Sequence, residues 1–156
     1  MLYNYKGTKI EASSKEEAIV KIISEKELSN EEIFKKAKRG DKSILKLPKE
    51  KLTIKDNDGW TPIHYLADKG VKEILKLDKS LLRVKNNKGE TPIHWLAYNG
   101  IKEILELDKS LLVIKDNDGW TPIHILADNK VKEVLDLPED LLSIKNNDEE
   151  TPIHYL

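Results

Sequence analysis

Thr61-Pro62-Ile63-His64 recurs as Thr91-Pro92-Ile93-His94, Thr121-Pro122-Ile123-His124 and Thr151-Pro152-Ile153-His154, each copy 30 residues after the last. Four identical tetrapeptides in 156 residues argue for one structural unit, repeated, rather than four separate sites. They hold all four histidines of the chain. Threonine is a good N-cap, and proline suits the first helical position, where its missing N–H is not needed. Each tetrapeptide is therefore read as the start of a helix. Ile63, Leu66 and Ala67 continue it with i, i+3, i+4 spacing, and Gly70 or Gly100 ends it; Lys130 stands there in the third copy.

Downstream of each glycine the spacing predicts a second helix, with Val71, Ile74 and Leu75 (then Ile101, Ile104, Leu105 and Val131, Val134, Leu135) on its buried stripe. Asp78 and Asp108 align with Pro48 and Pro138, and proline forces the preceding residue out of the α region, so this helix is over by about Leu77, Leu107 and Leu137. Leu81-Leu82 and Leu111-Leu112 bury a turn, and a short extended piece, Arg83-Val84-Lys85, leads to a polar tip. The tips are Asp56-Asn57-Asp58-Gly59, Asn86-Asn87-Lys88-Gly89, Asp116-Asn117-Asp118-Gly119 and Asn146-Asn147-Asp148-Glu149, rich in residues that tolerate left-handed backbone. Each repeat reads as helix, turn, helix and β-type hairpin.

Upstream, the register reaches Ile33, Ala37, Gly40, Ile44-Leu45, Leu52 and Ile54, with Glu31-Glu32-Ile33-Phe34 in place of the tetrapeptide. The repeat array is thus expected over residues 29–156: an atypical first repeat at 31–60, copies at 61–90, 91–120 and 121–150, and a partial copy at 151–156. Ser29 with Glu32 forms a capping-box pattern at its start. Residues 1–28 read as a small ββα capping element. Tyr3, Tyr5, Ile10 and Ala12 suit strands around a turn at Gly7, and Ser14 with Glu17 caps a helix whose buried face carries Ala18, Ile19, Ile22 and Ile23.

A unit of the form Asp-x-x-Gly-x-Thr-Pro-Ile-His-x-x-Ala, with two short antiparallel helices and a hairpin, resembles the ankyrin repeat. The resemblance covers residues 31–156 and implies a mostly α solenoid. It departs from the family pattern in its 30-residue unit, against the usual 33 or so, and in Leu66-Ala67, Leu96-Ala97 and Leu126-Ala127 where Ala-Ala is usual. It further implies that the threonine and histidine of each tetrapeptide hold the hairpin and adjacent repeats together by hydrogen bonds. A partner protein is expected on the concave face made by first helices and hairpins.

Composition narrows the alternatives. Lysine and arginine number 27 against 28 aspartates and glutamates, a balance that argues against a nucleic-acid binder. There is no cysteine, hence neither a disulfide framework nor a thiolate metal site. No apolar run approaches the roughly 20 residues that span a bilayer, and the first residues lack the apolar core of a secretory signal, so a cytoplasmic protein without membrane contact is expected. The histidines recur as a ladder, not a cluster, which disfavours a metal. The Asp56-Asn57-Asp58-Gly59 tip lacks the outer acids of a calcium loop, since Ile54 and Tyr65 hold those places. Neither a phosphate-binding glycine loop nor a nucleophile elbow is present, so neither enzymatic activity nor a cofactor is expected.

What varies within the strict repeat points to recognition. Trp60 and Trp120 alternate with Glu90 and Glu150 just before the tetrapeptide; Tyr65, Trp95, Ile125 and Tyr155 follow it. Asp68 and Tyr98 vary at the helix end, and Lys88 at the hairpin tip. The candidate partner-binding residues are Trp60, Tyr65, Asp68, Lys88, Glu90, Trp95, Tyr98, Trp120 and Ile125. A second reading is self-assembly as a homo-oligomer through the partial last repeat, whose Ile153, Tyr155 and Leu156 lack a following helix.

Overall fold

The computed structural model describes residues 2–5, 8–11, 14–17, 19 and 27–156. The chain divides into two compact units, Met1–Glu31 and Glu32–Leu156. In the first, strand β1 (Leu2–Tyr5) pairs antiparallel with β2 (Thr8–Glu11), with Tyr3 opposite Ile10 and Asn4 opposite Lys9. The Glu17 amide donates to Ser14 Oγ at 3.1 Å, the cap that this serine was expected to make. Ile19, assigned above to a buried face, is exposed instead. The expected turn at Gly7, the strand position Ala12 and the helix positions Ala18, Ile22 and Ile23 lie outside the described residues.

The second unit is helical and strictly periodic. Its first helices are Asn30–Lys38, Pro62–Asp68, Pro92–Tyr98 and Pro122–Asp128, and a 3-10 turn, Pro152–Tyr155, follows in the same register. From Pro62–Asp68 onward each of these elements packs on the next. Ile33, Ile63, Ile93 and Ile123 form a column that solvent does not reach, each contributing roughly 2 kcal/mol by burial. Leu66, Leu96 and Leu126 form a second such column. Among the described residues no helix is long and apolar enough to cross a membrane.

The expected second helix is shorter and tighter than its pattern suggests. It is a five-residue 3-10 segment, Lys72–Lys76, repeated at Lys42–Lys46, Lys102–Glu106 and Lys132–Asp136. It stops where the aligned prolines indicate, at Leu77, whose ψ of 164° is extended. Ile44, Ile74, Ile104 and Val134 are its buried residues, but Leu135, assigned to the buried stripe, is 56 % exposed. The turn holding Leu81-Leu82 is a one-turn helix, Lys79–Leu82, capped by Asp78, which accepts from the Ser80 amide at 2.8 Å. Pro48 and Pro138 can replace that aspartate because the cap position is extended, with φ of −63° and −58° at the two prolines.

Glycine ends the first helices for a conformational reason. Gly40, Gly70 and Gly100 have φ of 74°, 69° and 68°, and Lys130 is held at φ 61° in the same place. Lys130→Gly should therefore raise stability by about 1 kcal/mol, read as a higher urea midpoint. An unchanged or lower midpoint would mean that the bond from Lys130 Nζ to the Tyr155 carbonyl outweighs the backbone strain.

Candidate binding face

The tetrapeptide is scaffold, and its hydrogen bonds show how. The Thr61 amide donates to His64 Nδ1 at 3.1 Å, with the Thr61 hydroxyl 2.8 Å from the same nitrogen. A backbone N–H can only donate, so Nδ1 is an acceptor and the ring proton sits on Nε2. Nε2 then donates across to the next hairpin, to the Glu90 carbonyl at 3.0 Å. His94 reaches the Trp120 carbonyl at 3.1 Å and His124 the Glu150 carbonyl at 3.1 Å by the same arrangement. His64, His94 and His124 therefore each tie their own helix start to the following hairpin, as the resemblance implied, while His154 bonds only Thr151 among the described residues. Burial pushes His64 and His94 down to about 4 from an ordinary 6.5, and lowers His124 as well. Among the described residues no group of three or more histidine, cysteine, aspartate or glutamate side chains is placed to hold a metal ion.

The hairpin tips are stitched sideways. The Asn87 amide donates to the Asp58 carbonyl at 3.0 Å, Asn117 to Lys88 at 3.0 Å and Asn147 to Asp118 at 3.1 Å. The side-chain amides of the same three asparagines bond Asn57, Asn87 and Asn117 carbonyls. Lys55, Lys85 and Lys115 each donate to the carbonyl 30 residues on, at 2.7, 2.8 and 2.6 Å. On the 3-10 segments, Lys42–Glu73, Lys72–Glu103 and Lys102–Glu133 form a ladder of ion pairs, all at 2.5 Å and half-exposed, where solvent screening leaves each of them little weight.

Four of the candidate aromatic residues come together in one row. Tyr65 lies 4.8 Å from Trp60, Trp60 lies 4.5 Å from Trp95, and Trp95 lies 5.2 Å from Tyr98, centroid to centroid. Phe34 extends the row at 6.0 Å from Tyr65, and Lys38 Nζ sits 5.0 Å from the Tyr65 ring centroid. Neither residue was singled out from sequence. Phe34 occupies the histidine place of the altered first tetrapeptide, and that exchange was the available signal. Trp120 belongs to a second group, 4.6 Å from Tyr155. Tyr98 is 45 % exposed at the end of the row, while Trp60, Tyr65, Trp95 and Trp120 are half-buried. The buried Trp95 Nε1 has no hydrogen-bond partner among the described residues.

Two of the candidates are buried. Glu90 is only 6 % exposed because its carboxylate accepts from Asn86 Nδ2 at 2.8 Å and its amide donates to Asn86 Oδ1 at 3.0 Å. Ile125 is 2 % exposed; an aliphatic side chain at the place of Tyr65 and Trp95 is drawn wholly into the packing. Asp68 pairs with its neighbour Lys69 at 3.2 Å, and its carbonyl accepts from Asn99 Nδ2 at 3.0 Å. Lys88 is exposed, beside Tyr98 and the acids of the next tip: Lys88, Glu90, Tyr98, Asp116, Asn117 and Asp118 line one cavity of ≈ 460 Å³.

The sequence that builds these stacked helices, glycine-ended turns and histidine ties also matches a family model. A model described as ankyrin repeats in three copies matches residues 12–113. The chain belongs to the ankyrin-repeat family. The match begins well before residue 31, inside the stretch that the sequence pattern left out, and the same geometry continues past its end through the copies at 121–150. No curated protein matches the chain. Ankyrin repeats are generally protein–protein interaction modules and typically non-enzymatic.

Proposed function

We propose that this ankyrin array binds a partner protein on its concave face, along the first helices and hairpin tips, without catalysing a reaction. The observation that carries the reading is the aromatic row ending at the half-exposed Tyr98. Such rings supply large contact area at low conformational cost, and they dominate interface energetics. The adjoining tips at 86–88 and 116–118 extend the same surface with polar groups.

Tyr98 is the informative position to change, because Trp95 is wedged between Trp60 and Tyr98 and its loss would disturb packing. Tyr98→Ala should weaken capture of the partner by about tenfold, from a lysate of the protein's own cells. Its thermal midpoint should stay within about 3 °C of the parent. Lys102→Ala, in the ion-pair ladder of the 3-10 segments, serves as the control and should capture normally. Capture that survives Tyr98→Ala and fails with Lys102→Ala would place the interface elsewhere and overturn the reading.

A further inference from the structure

The cavity beside Tyr98 differs from its counterparts in neighbouring repeats. Trp60 and Trp120 put indoles where Glu90 puts a carboxylate. The cavity is lined by three carboxylates, a tyrosine ring and one ammonium, a net of two negative charges. One oxygen of Glu90 accepts from Asn86 Nδ2, and one oxygen of Asp116 accepts from the Asp118 and Trp120 amides at 3.0 and 2.8 Å. The second oxygen of each has no protein partner among the described residues. None of Glu90, Asp116 and Asp118 joins an ion pair among those residues, unlike the acids of the 3-10 ladder.

Resting on the binding-face reading, we infer that this cavity is a subsite for an arginine side chain of the partner protein. A guanidinium is planar, so it can lie against the Tyr98 ring and still direct its N–H groups to carboxylates at the cavity wall. The chain makes a related contact itself, with the Lys38 ammonium 5.0 Å from the Tyr65 ring centroid and the Tyr65 hydroxyl donating to Asp56 at 2.5 Å. The potential around Tyr98 has the required sign. Burial, then Glu90, Asp116, Asp118 and Asp128, push its hydroxyl up to about 12. Burial also raises the Asp116 carboxyl, and an incoming cation would reverse that. Lys88 opposes a cation, so the subsite carries its own brake.

The probe is a pentapeptide, acetyl-Gly-Gly-Arg-Gly-Gly-amide, titrated into the full chain by NMR at low salt, beside its citrulline analogue. The arginine peptide should saturate at roughly millimolar concentration, as one side chain alone would. Shift changes should centre on Tyr98, Lys88 and Asp118. The citrulline peptide, isosteric and uncharged, should bind at least about tenfold more weakly. Asp116→Asn should weaken the arginine peptide by a similar factor without disturbing the tip, since Asn86 and Asn146 occupy that place in the neighbouring hairpins. Lys88→Met should tighten binding a few-fold.

Equal binding of both peptides, or shifts spread evenly over the Asp58 and Asp148 tips, would overturn the subsite. So would an Asp116→Asn variant that binds the arginine peptide normally. The two readings fail separately. A partner lost on Tyr98→Ala but held by Asp116→Asn leaves the binding face and removes the arginine subsite. Peptide binding as described, with partner capture indifferent to Tyr98, does the reverse.

Discussion

Lowering the pH from 7 to 5 is expected to cost the array roughly 4 kcal/mol, about 2 each from His64 and His94. Both imidazoles are held down to about 4, chiefly by burial, against 6.5 when exposed. Below 6.5 the unfolded chain takes up protons that the folded chain refuses, so stability is complete above 6.5 and declines as the pH falls toward 4. The tetrapeptide geometry supplies a reason besides burial. Protonation at Nδ1 would set a ring N–H against the Thr61 or Thr91 amide, which already points at that nitrogen at 3.1 and 3.0 Å. Each histidine also carries the bond to the next hairpin, so a loss at one place loosens two repeats. In urea unfolding the midpoint should fall by about 2 M between pH 7 and pH 5. The carboxylates held down by lysine partners, Glu73, Glu103 and Glu133, act only below their ordinary 4.5 and leave this window to the histidines. A midpoint that holds to pH 5 and drops only below 4 would assign acid sensitivity to those carboxylates and refute the histidine account.

The helix starts and glycine stops were legible in the sequence because Thr-Pro at a helix entrance and glycine at its exit are constrained by local geometry alone. The second element was not. Val71, Ile74 and Leu75 span a single turn, and i+3 and i+4 spacing over so short a stretch fits an α-helix and a 3-10 segment equally. The tips were read as turn formers, yet Asn87, Asn117 and Asn147 also bond backward to the preceding tip, a role visible only once repeats are stacked. For the site, variation within the repeat points to recognition, and the buried Glu90 shows where that signal is mixed. Trp60 and Trp120 follow Asp56 and Asp116, whereas Glu90 and Glu150 follow Asn86 and Asn146. Asparagine has an N–H₂ to offer a glutamate, and aspartate has none. At Asn86 and Glu90 one side chain satisfies the other directly, while at Asn146 and Glu150 the Tyr155 hydroxyl stands between them, accepting from Asn146 Nδ2 and donating to Glu150, so variation at these positions reports packing as much as recognition.

Gly119→Ala should lower stability by roughly 3 kcal/mol, far more than the same change at Gly100. Both glycines have positive φ, 80° and 68°, so both substitutions share a backbone strain of about 1 kcal/mol or slightly more. The surroundings differ. A Cβ on Gly100 would meet nothing within 4 Å. One on Gly119 would stand 2.5 Å from Asn147 Oδ1 and 2.7 Å from the Asn147 backbone nitrogen. That nitrogen cannot retreat cheaply, because its N–H donates to the Asp118 carbonyl at 3.1 Å and the Asn147 side chain bonds the Asn117 carbonyl at 3.1 Å. Relief requires the two tips to separate and gives up both bonds. Glu149 holds a full side chain at φ 64° in the equivalent place, so the backbone strain alone is tolerated at a tip. Paired urea melts of the two alanine variants isolate the close approach from the strain they share. Equal losses would mean that φ alone requires glycine at the tips, and that their close stacking carries no weight in holding the repeats together.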